Sequence, residues 1–230
     1  EGGYILNGTK CFITNAPIAD KITLFANTRE GGGIRGLTVF LVDADTKGIS
    51  IGKEEDKMGI RASATAEIIF EDCFVPDSAR VGKEGRGFMI AMQTLQMSRP
   101  IVAAISVGIA QAAIEAAVAY SHHRKQFGVK IATFEMVQQM IADMVMKTEA
   151  ARILTYKACV AQMNKDKKAG LYSAMSKCFA SDTAMEVTTT AVQVMGGNGY
   201  SRENPVEKYM RDAKIMQIYE GTNQVQRLVI

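Results

Sequence analysis

The chain has 230 residues, 47% of them hydrophobic, and a formal net charge of +3 at pH 7. This length and apolar content suffice for one large domain, or two modest ones, with real cores. The weak net charge, the scattered lysines and arginines and the absence of Trp argue against a nucleic-acid partner.

Residues 1 to about 80 have the pattern of short strands separated by turns. Asn7-Gly8 lies between two such runs and predicts a hairpin, because these residues accept the positive φ angles of a tight turn. Further strands are predicted at 22–27, 37–42, 49–51 and 66–70, which is the spacing of a sandwich or barrel. Val75-Pro76 closes this part.

From Gly85 onward the apolar residues recur every three or four positions, which is the period of amphipathic helices. Four helical stretches are predicted at about 85–120, 133–164, 169–195 and 205–230, enough for an antiparallel bundle. We therefore predict an α+β, multi-domain chain. Residues 1–80 form part of a β-sandwich or barrel domain, and residues 81–230 form an α-helical bundle domain.

Neither a disulfide framework, a metal site nor a membrane span is expected. The four cysteines are far apart and form no CxxC pair, which indicates a reducing compartment: Cys11, Cys73, Cys159 and Cys178. His122 and His123 are adjacent, so on a helix they point in different directions and cannot share a metal. The run at 101–120 comes closest to a membrane span, but polar residues interrupt it.

Three glycine-bearing segments invite a cofactor interpretation. Residues 193–200 end a helical stretch, where glycine most simply forms a C-cap, and no strand precedes them as in a dinucleotide fingerprint. Residues 82–87 form a turn into the first long helix. Residues 122–128 are a basic patch near a helix end. That patch either compensates the helix dipole or places an arginine to hold a diphosphate.

The segment 218–227 carries a single carboxylate to a break in the helical pattern. Gly221 supplies a turn after Glu220, and Thr222 or Asn223 can cap a helix that starts at Gln224. Glu220 therefore lies beside an aromatic ring, bare backbone and helix N-terminal N–H donors, a setting that suits a general base. The alternative is a solvated glutamate in a loop between helices.

Several motifs occur in a single order from Tyr4 to Ile230. They are Phe12-Ile13-Thr14-Asn15-Ala16, Lys57-Met58-Gly59-Ile60-Arg61, Phe70-Glu71-Asp72 with Val75-Pro76, Arg124-Lys125-Gln126-Phe127-Gly128, Gln193 to Tyr200, Pro205-Val206-Glu207-Lys208, Met210-Arg211-Asp212-Ala213-Lys214 and Ile218 to Arg227. Each motif is a weak signal alone, but together in register they are specific. The chain resembles the acyl-CoA dehydrogenase family, particularly its short- and medium-chain members of the butyryl-CoA dehydrogenase type.

The resemblance implies an N-terminal helical domain, a middle β domain and a C-terminal four-helix bundle. This chain resembles only the later part of the middle domain and the bundle, so we expect it to be a piece of a longer polypeptide. The resemblance also implies a homotetramer built as a dimer of dimers. It places the protein in fatty acid β-oxidation and lipid metabolism, in a bacterial cytoplasm or a mitochondrial matrix.

The resemblance makes Glu220 the base that removes the α-proton of an acyl-CoA thioester. The β-hydrogen leaves as hydride to N5 of FAD, the product is a trans-2-enoyl-CoA, and the electrons pass to an electron-transfer flavoprotein. Relatives with the base elsewhere carry Glu immediately before the position of Arg99, where this chain has Ser98. The residues that would face the CoA ester are Gln96, Met97, Ser98 and Arg99. Tyr219 and Gly221 would face the acyl end.

The residues that the resemblance places beside the chain's own flavin come from two segments. Thr14 would hydrogen-bond the flavin ring and Phe12 would pack on it, where the family most often has Trp. Thr222 and Gln224 would lie by the flavin near Glu220.

A second set would reach the diphosphate and adenine side of a flavin held by a neighbouring subunit: Arg124, Gln126, Phe127, Gln193 and Gly197. Two other activities stay open on the same scaffold, an enoyl-CoA reductase and an acyl-CoA oxidase. A hypothesis of another class is a non-catalytic, flavin-fold subunit that serves assembly.

Overall fold

The computed structural model describes residues 2–230. The chain divides into two compact units, residues 1–94 and residues 95–230. This division follows packing alone, and the family-domain boundary near residue 80 stays a prediction.

The elements follow the predicted order of strands first and helices afterwards, so the α+β class is confirmed. The strands are β1 Gly3–Thr14, β2 Lys21–Asn27, β3 Leu37–Asp43, β4 Ile49–Glu54, β5 Thr65–Pro76, β6 Arg80–Val81, β7 Lys125–Gln126 and β8 Val129–Lys130. The α-helices are α1 Gly87–His123, α2 Glu135–Met163, α3 Ala169–Met195, α4 Gly197–Tyr200, α5 Val206–Met216 and α6 Asn223–Val229.

The N-terminal unit contains two three-stranded antiparallel sheets, ordered β1-β5-β4 and β2-β3-β6. Both sheets contribute to a single buried cluster, with Leu24 and Phe40 from one sheet and Ile68 and Val75 from the other. Two sheets that share a core in this way form a sandwich, because each sheet needs a partner to cover its apolar face.

The predicted hairpin at Asn7-Gly8 is wrong, because both residues lie inside the continuous strand β1. β1 pairs with β5, and the register shifts between Leu6 and Gly8, which marks a β-bulge. The extra residue on β5 is Asp72, whose φ is 45°. The Asn7 amide nitrogen donates to the Asp72 carboxylate at 3.1 Å, and the Asp72 backbone N–H donates to the Asn7 side-chain oxygen at 2.8 Å. Asn-Gly therefore accommodates a bulge here rather than a turn.

The C-terminal unit is helical. The first three predicted helices are confirmed as α1, α2 and α3, and the fourth is divided into α5 and α6 by the turn that carries Glu220. Small side chains let the helices approach closely, as with Ala113 and Ala117 of α1 and Ala184 and Ala191 of α3, all fully buried. This packing fixes the backbone on which the site is built.

Helix α1 is long and apolar enough to cross a membrane by length and composition alone, and it is the one such helix within residues 2–230. Ala103, Val107, Ala110 and Ala113 on its inner face are buried among the other helices of the unit. This is the pattern of a core helix in a bundle, and we interpret α1 in that way.

Candidate active site

Glu220 lies at the centre of a turn between α5 and α6. Its φ is 53° and that of Gly221 is 89°, so two consecutive residues adopt the left-handed region. Thr222 caps α6, since its hydroxyl oxygen accepts from the Val225 backbone N–H at 3.3 Å. Of the two predicted caps, Thr222 is therefore the correct one. A Cβ at position 221 would lie 2.7 Å from the Gln226 amide nitrogen, so the turn requires glycine.

Ser98 on α1 contacts the Glu220 carboxylate directly. Its hydroxyl donates to Oε2 of Glu220 at 2.5 Å, although the two residues are 122 positions apart in sequence. The sequence analysis did not foresee this contact. The available signal was the resemblance, which implies that some family members carry their base at the position of Ser98.

Arg99 is buried next to this turn. The exposed fraction of Arg99 is 6%, and its Nε atom has no hydrogen-bond partner within residues 2–230. Burial lowers the pKa of the guanidinium, and the nearby Glu220 carboxylate opposes that shift. A buried donor without a partner is costly and is normally satisfied by some group. Arg99 therefore places a buried positive charge beside Glu220.

Gln96 lies one helical turn before Pro100 on α1. Pro100 has no N–H, so the Gln96 carbonyl lacks its usual partner within the helix. The Gln162 side-chain amide on α2 donates to that carbonyl and also to the Ser173 hydroxyl at 2.8 Å. This bond fixes the segment 96–99 against α2.

The other two substrate-side residues differ in their surroundings. Tyr219 is half-buried, and its hydroxyl donates to the Met216 sulfur at 2.9 Å. Burial raises the pKa of the Tyr219 phenol, and Glu220 adds to the rise. Met97 is 68% exposed. The described unit thus brings together Ser98, Arg99, Tyr219 and the turn, and presents Met97 at its surface.

Two buried side chains that the sequence analysis missed, Lys177 and Gln226, also bind the turn. Lys177 Nζ donates to the Gly221 carbonyl at 2.9 Å, and Gln226 Nε2 donates to the same oxygen at 2.8 Å. Gln226 Nε2 also lies 3.3 Å from the Glu220 carbonyl oxygen. The signal for Lys177 was its position between Ala174 and Ser181 on the small-residue face of α3.

Phe12 and Thr14 lie at the end of β1 in the N-terminal unit. Phe12 has a φ of 55°, at an irregularity between Lys10 and Ile13, and it is 72% exposed. Thr14 is exposed as well. A strand end that presents an aromatic ring and a hydroxyl outward fits the packing and hydrogen bonding of a planar flavin ring.

The second set of predicted cofactor residues lies at the far end of the helical unit. The β7–β8 hairpin follows α1 and presents Arg124, Gln126 and Phe127, of which Phe127 is 92% exposed. Gln193 and Gly197 lie where α3 ends, and the Asn198 amide beside them donates to the hydroxyl of Tyr120 near the end of α1 at 2.6 Å. These five residues therefore share one end of the unit. Most of α1 separates this end from Ser98, roughly 35–40 Å at 1.5 Å per residue.

Within the described part of the chain, residues 2–230, no group of three or more His, Cys, Asp or Glu residues is placed to hold a metal ion.

Two models of one protein family match the chain. "Acyl-CoA dehydrogenase, middle domain" matches residues 1–73, and "Acyl-CoA dehydrogenase, C-terminal domain" matches residues 85–230. A probable acyl-CoA dehydrogenase of Mycobacterium bovis is 51% identical over 227 residues, which cover 99% of this chain and 58% of the relative. The chain thus spans less than two thirds of the length of this relative.

Solved structures give the same result. Butyryl-CoA dehydrogenase from Megasphaera elsdenii matches with a TM-score of 0.96 at 50% identity, over 99% of this chain and 59% of that chain. A chain in a structure described as the electron transferring flavoprotein of Acidaminococcus fermentans, towards a mechanism of flavin-based electron bifurcation, matches with a TM-score of 0.96 at 54% identity. That match covers 99% of this chain and 60% of the other. The chain belongs to the acyl-CoA dehydrogenase family, whose members are FAD-dependent oxidoreductases.

Proposed function

We propose that the complete protein dehydrogenates a short- or medium-chain acyl-CoA to the trans-2-enoyl-CoA, with Glu220 as the base. The observation that carries this proposal is a carboxylate held in a left-handed turn, bonded to Ser98 and lying beside the buried Arg99, whose Nε has no hydrogen-bond partner within residues 2–230. FAD, when bound, supplies the hydride acceptor, and the residues that would hold it are Phe12, Thr14, Thr222 and Gln224.

The backbone of the same turn supports the proton transfer. When Glu220 takes the α-proton, negative charge develops on the thioester oxygen. The backbone N–H groups of Glu220 and Gly221 make no hydrogen bond within residues 2–230, so both are available to that oxygen. A bound acyl chain would also exclude water from the carboxylate and make it a stronger base.

The proposed substrate class is supported by the resemblance of the residues around Glu220 to those of the family. Gln96, Met97, Ser98 and Arg99 would face the CoA ester. Tyr219 and Gly221 would border the acyl end. The similarity to a butyryl-CoA dehydrogenase at 50% identity supports a short acyl chain.

We propose further that the protein is a homo-oligomer, a dimer of dimers, and that an electron-transfer flavoprotein reoxidises it. The distance along α1 between Ser98 and the Arg124 end supports two different cofactor copies at the two ends of one chain. The similarity to a chain from the Acidaminococcus fermentans structure supports the electron-transfer partner. We propose in addition that the enzyme works in fatty acid β-oxidation, in a bacterial cytoplasm or a mitochondrial matrix.

The decisive experiment is an anaerobic titration of the full-length, FAD-loaded protein with butyryl-CoA and octanoyl-CoA. Bleaching of the oxidised flavin band supports dehydrogenation, and the chain length that gives the faster initial rate identifies the substrate class. An unchanged band with both substrates would contradict the proposal and favour a non-catalytic assembly subunit. Reoxidation of the bleached flavin by oxygen or by a 2-enoyl-CoA would reveal oxidase or reductase activity.

Glu220→Gln tests the base separately. This variant keeps the size and the hydrogen-bonding capacity of the side chain but cannot accept the α-proton. We expect normal FAD content and a loss of flavin reduction of roughly 1,000-fold or more, because general-base catalysis and its positioning are both removed. Flavin reduction at the wild-type rate would require a different base.

A further inference from the structure

Lys177 is a cation in the interior of the helical unit. Its exposed fraction is 0%, and no carboxylate of residues 2–230 lies within ion-pair distance of it. Its Nζ donates instead to two neutral oxygens, the Gly221 carbonyl and Oδ1 of Asn223, each at 2.9 Å. Burial lowers the pKa of this ammonium to about 8. The carboxylates of Asp182 and Glu220 oppose this shift without forming an ion pair with Nζ. A buried charge that lacks a close ion pair is costly, so the two hydrogen bonds are what satisfy it.

Besides accepting from Lys177, Asn223 donates to three further residues of α3. Its side-chain nitrogen donates to Ser181 Oγ at 2.8 Å, to Asp182 Oδ1 at 2.7 Å and to the Cys178 carbonyl at 3.3 Å. Its residue is 3% exposed. Asn223 is also the first residue of α6, so this network fixes the start of that helix on α3.

The turn at Glu220 and Gly221, to which these residues bind, has an energetically unfavourable backbone conformation in the absence of such contacts. A non-glycine residue in the left-handed region costs of order 1 kcal/mol or more, and Glu220 is such a residue. A strained backbone persists only where its surroundings determine it fully. Here Lys177 and Gln226 bind the Gly221 carbonyl from two different helices, which leaves the peptide between Gly221 and Thr222 little freedom to rotate.

We propose that Lys177 is a positioning residue for Glu220: together with Asn223 it holds the turn in the conformation that aims the carboxylate at the substrate. This inference rests on the proposed role of Glu220 as the base. Lys177 makes no hydrogen bond to the Glu220 carboxylate, although the two charges attract one another, and its direct contact with the turn is the Gly221 carbonyl. A misplacement of about 1 Å is enough to lower a rate by about 100-fold.

The test uses the full-length, FAD-loaded protein with Lys177→Met, which keeps the length and packing of the side chain and removes the donor. Two readouts are measured, kcat against KM for the acyl-CoA, and exchange of the α-protons of a 3-thia-acyl-CoA in D2O. The sulfur in that analogue replaces the β-carbon, so exchange reports proton removal without hydride transfer. We expect kcat and exchange to fall roughly 10- to 100-fold while KM changes by less than about 3-fold.

The matched control is Lys157→Met, an exposed lysine of α2 that lies over the Tyr172 ring. We expect it to leave kcat, KM and exchange at wild-type values. A Lys177→Met protein that folds, binds FAD and exchanges α-protons at the wild-type rate would overturn the proposal.

A double variant separates positioning from a general effect on the fold. In a Glu220→Gln protein the base is already absent, so adding Lys177→Met should lower the residual exchange rate by less than about 2-fold, because coupled residues are non-additive. A further 10-fold loss would show that Lys177 acts elsewhere and would contradict the positioning role. If Glu220→Gln alone exchanges normally, the proposed function fails, and that outcome is distinct from a failure of Lys177→Met.

Asn223→Ala keeps the proposal testable if Lys177→Met does not fold. It removes one of the two acceptors of Lys177 and leaves the Gly221 contact in place. We expect a smaller loss of exchange, roughly 3- to 10-fold, with KM unchanged, and the wild-type rate would overturn the proposal.

Discussion

At the scale of single residues, Gly221 is the position where the site tolerates a side chain least. Its φ is 89°, and an added Cβ would stand 2.7 Å from the Gln226 amide nitrogen, on a side chain that is itself fully buried. That nitrogen donates to the Gly221 carbonyl, so moving it would also release one of the two bonds that fix the turn.

We therefore expect Gly221→Ala to lower the free energy of unfolding by about 1–3 kcal/mol and to slow flavin reduction by at least about 10-fold. Urea unfolding and anaerobic stopped-flow reduction measure the two effects. Gly108→Ala on α1 is the matched control, because nothing lies within 4 Å of its added Cβ and its φ is not positive. It should stabilise the protein by about 0.5–1 kcal/mol. Equal unfolding free energies for the two variants would contradict the steric argument.

Residue-level chemistry around Glu220 was only partly accessible from the sequence. The break at Glu220-Gly221 and the cap at Thr222 follow from local rules, and both are confirmed. The Ser98 contact and the Lys177 bond join residues 122 and 44 positions apart in sequence. No local pattern encodes such contacts, because they depend on how α1 and α3 pack.

At the scale of elements, Asp182 is the point where three segments meet. Its carboxylate on α3 accepts from Gln217 just after α5, and from Asn223 and Arg227 on α6. Burial alone would raise the pKa of Asp182, but the hydrogen bonds from Arg227, Asn223 and Gln217 outweigh it and lower the pKa below its ordinary value. The ionised form therefore ties α6 and its turn to α3.

This arrangement predicts an acid-sensitive attachment of α6. A carboxyl group whose pKa is lowered by folding stabilises the folded state above its unfolded pKa, and that contribution is lost as the pH falls through the two values. We expect the urea midpoint to fall between about pH 5 and pH 3 in the wild type. Asp182→Asn should be less stable at pH 7 and should show a flatter dependence on pH.

Circular dichroism at 222 nm, recorded in urea series at several pH values, gives the urea midpoints that test this prediction. Asp20→Asn, at an exposed aspartate of the N-terminal unit, is the control and should leave both the midpoint at pH 7 and its pH dependence unchanged. Parallel pH curves for the wild type and Asp182→Asn would contradict the assignment.

The sequence predicted the elements correctly where the apolar periodicity extends over many residues. It failed where the prediction rested on a single dipeptide. The three long helices were predicted within about three residues of their observed ends, because each repeats its apolar pattern over many turns. Asn7-Gly8 was misassigned because a tight hairpin and a β-bulge both place residues at positive φ. Pairing of β1 with β5, more than 60 residues later, decided between them.

At the scale of the whole molecule, the Arg124 end and the Glu220 turn lie at opposite ends of one helical unit. If Arg124 serves the flavin of a neighbouring subunit, each active site combines two chains. Arg124→Glu and Glu220→Gln should then each be inactive alone, the first through weak FAD binding and the second through loss of the base.

Co-expressed as mixed oligomers, the two variants should complement one another. A site with Glu220 from one chain and Arg124 from the other is intact, so random pairing within dimers restores roughly a quarter of the wild-type turnover. Differently tagged chains allow the mixed species to be purified and assayed. If Arg124 served its own chain's flavin, every site in the mixture would lack one residue and no activity would return.

The exposed β7–β8 hairpin carries Arg124 and Lys125, and it lies open in the single chain. Trypsin cleaves after arginine and lysine in such an exposed segment, whereas a segment that is buried against a partner's cofactor is protected from cleavage. Lys165, Lys167 and Lys168 between α2 and α3 are exposed as well and have no proposed partner, so they provide an internal reference. Mass spectrometry would give the ratio of cleavage at the hairpin to cleavage at the reference lysines. This ratio would thus report subunit assembly and cofactor loading without any substrate being turned over.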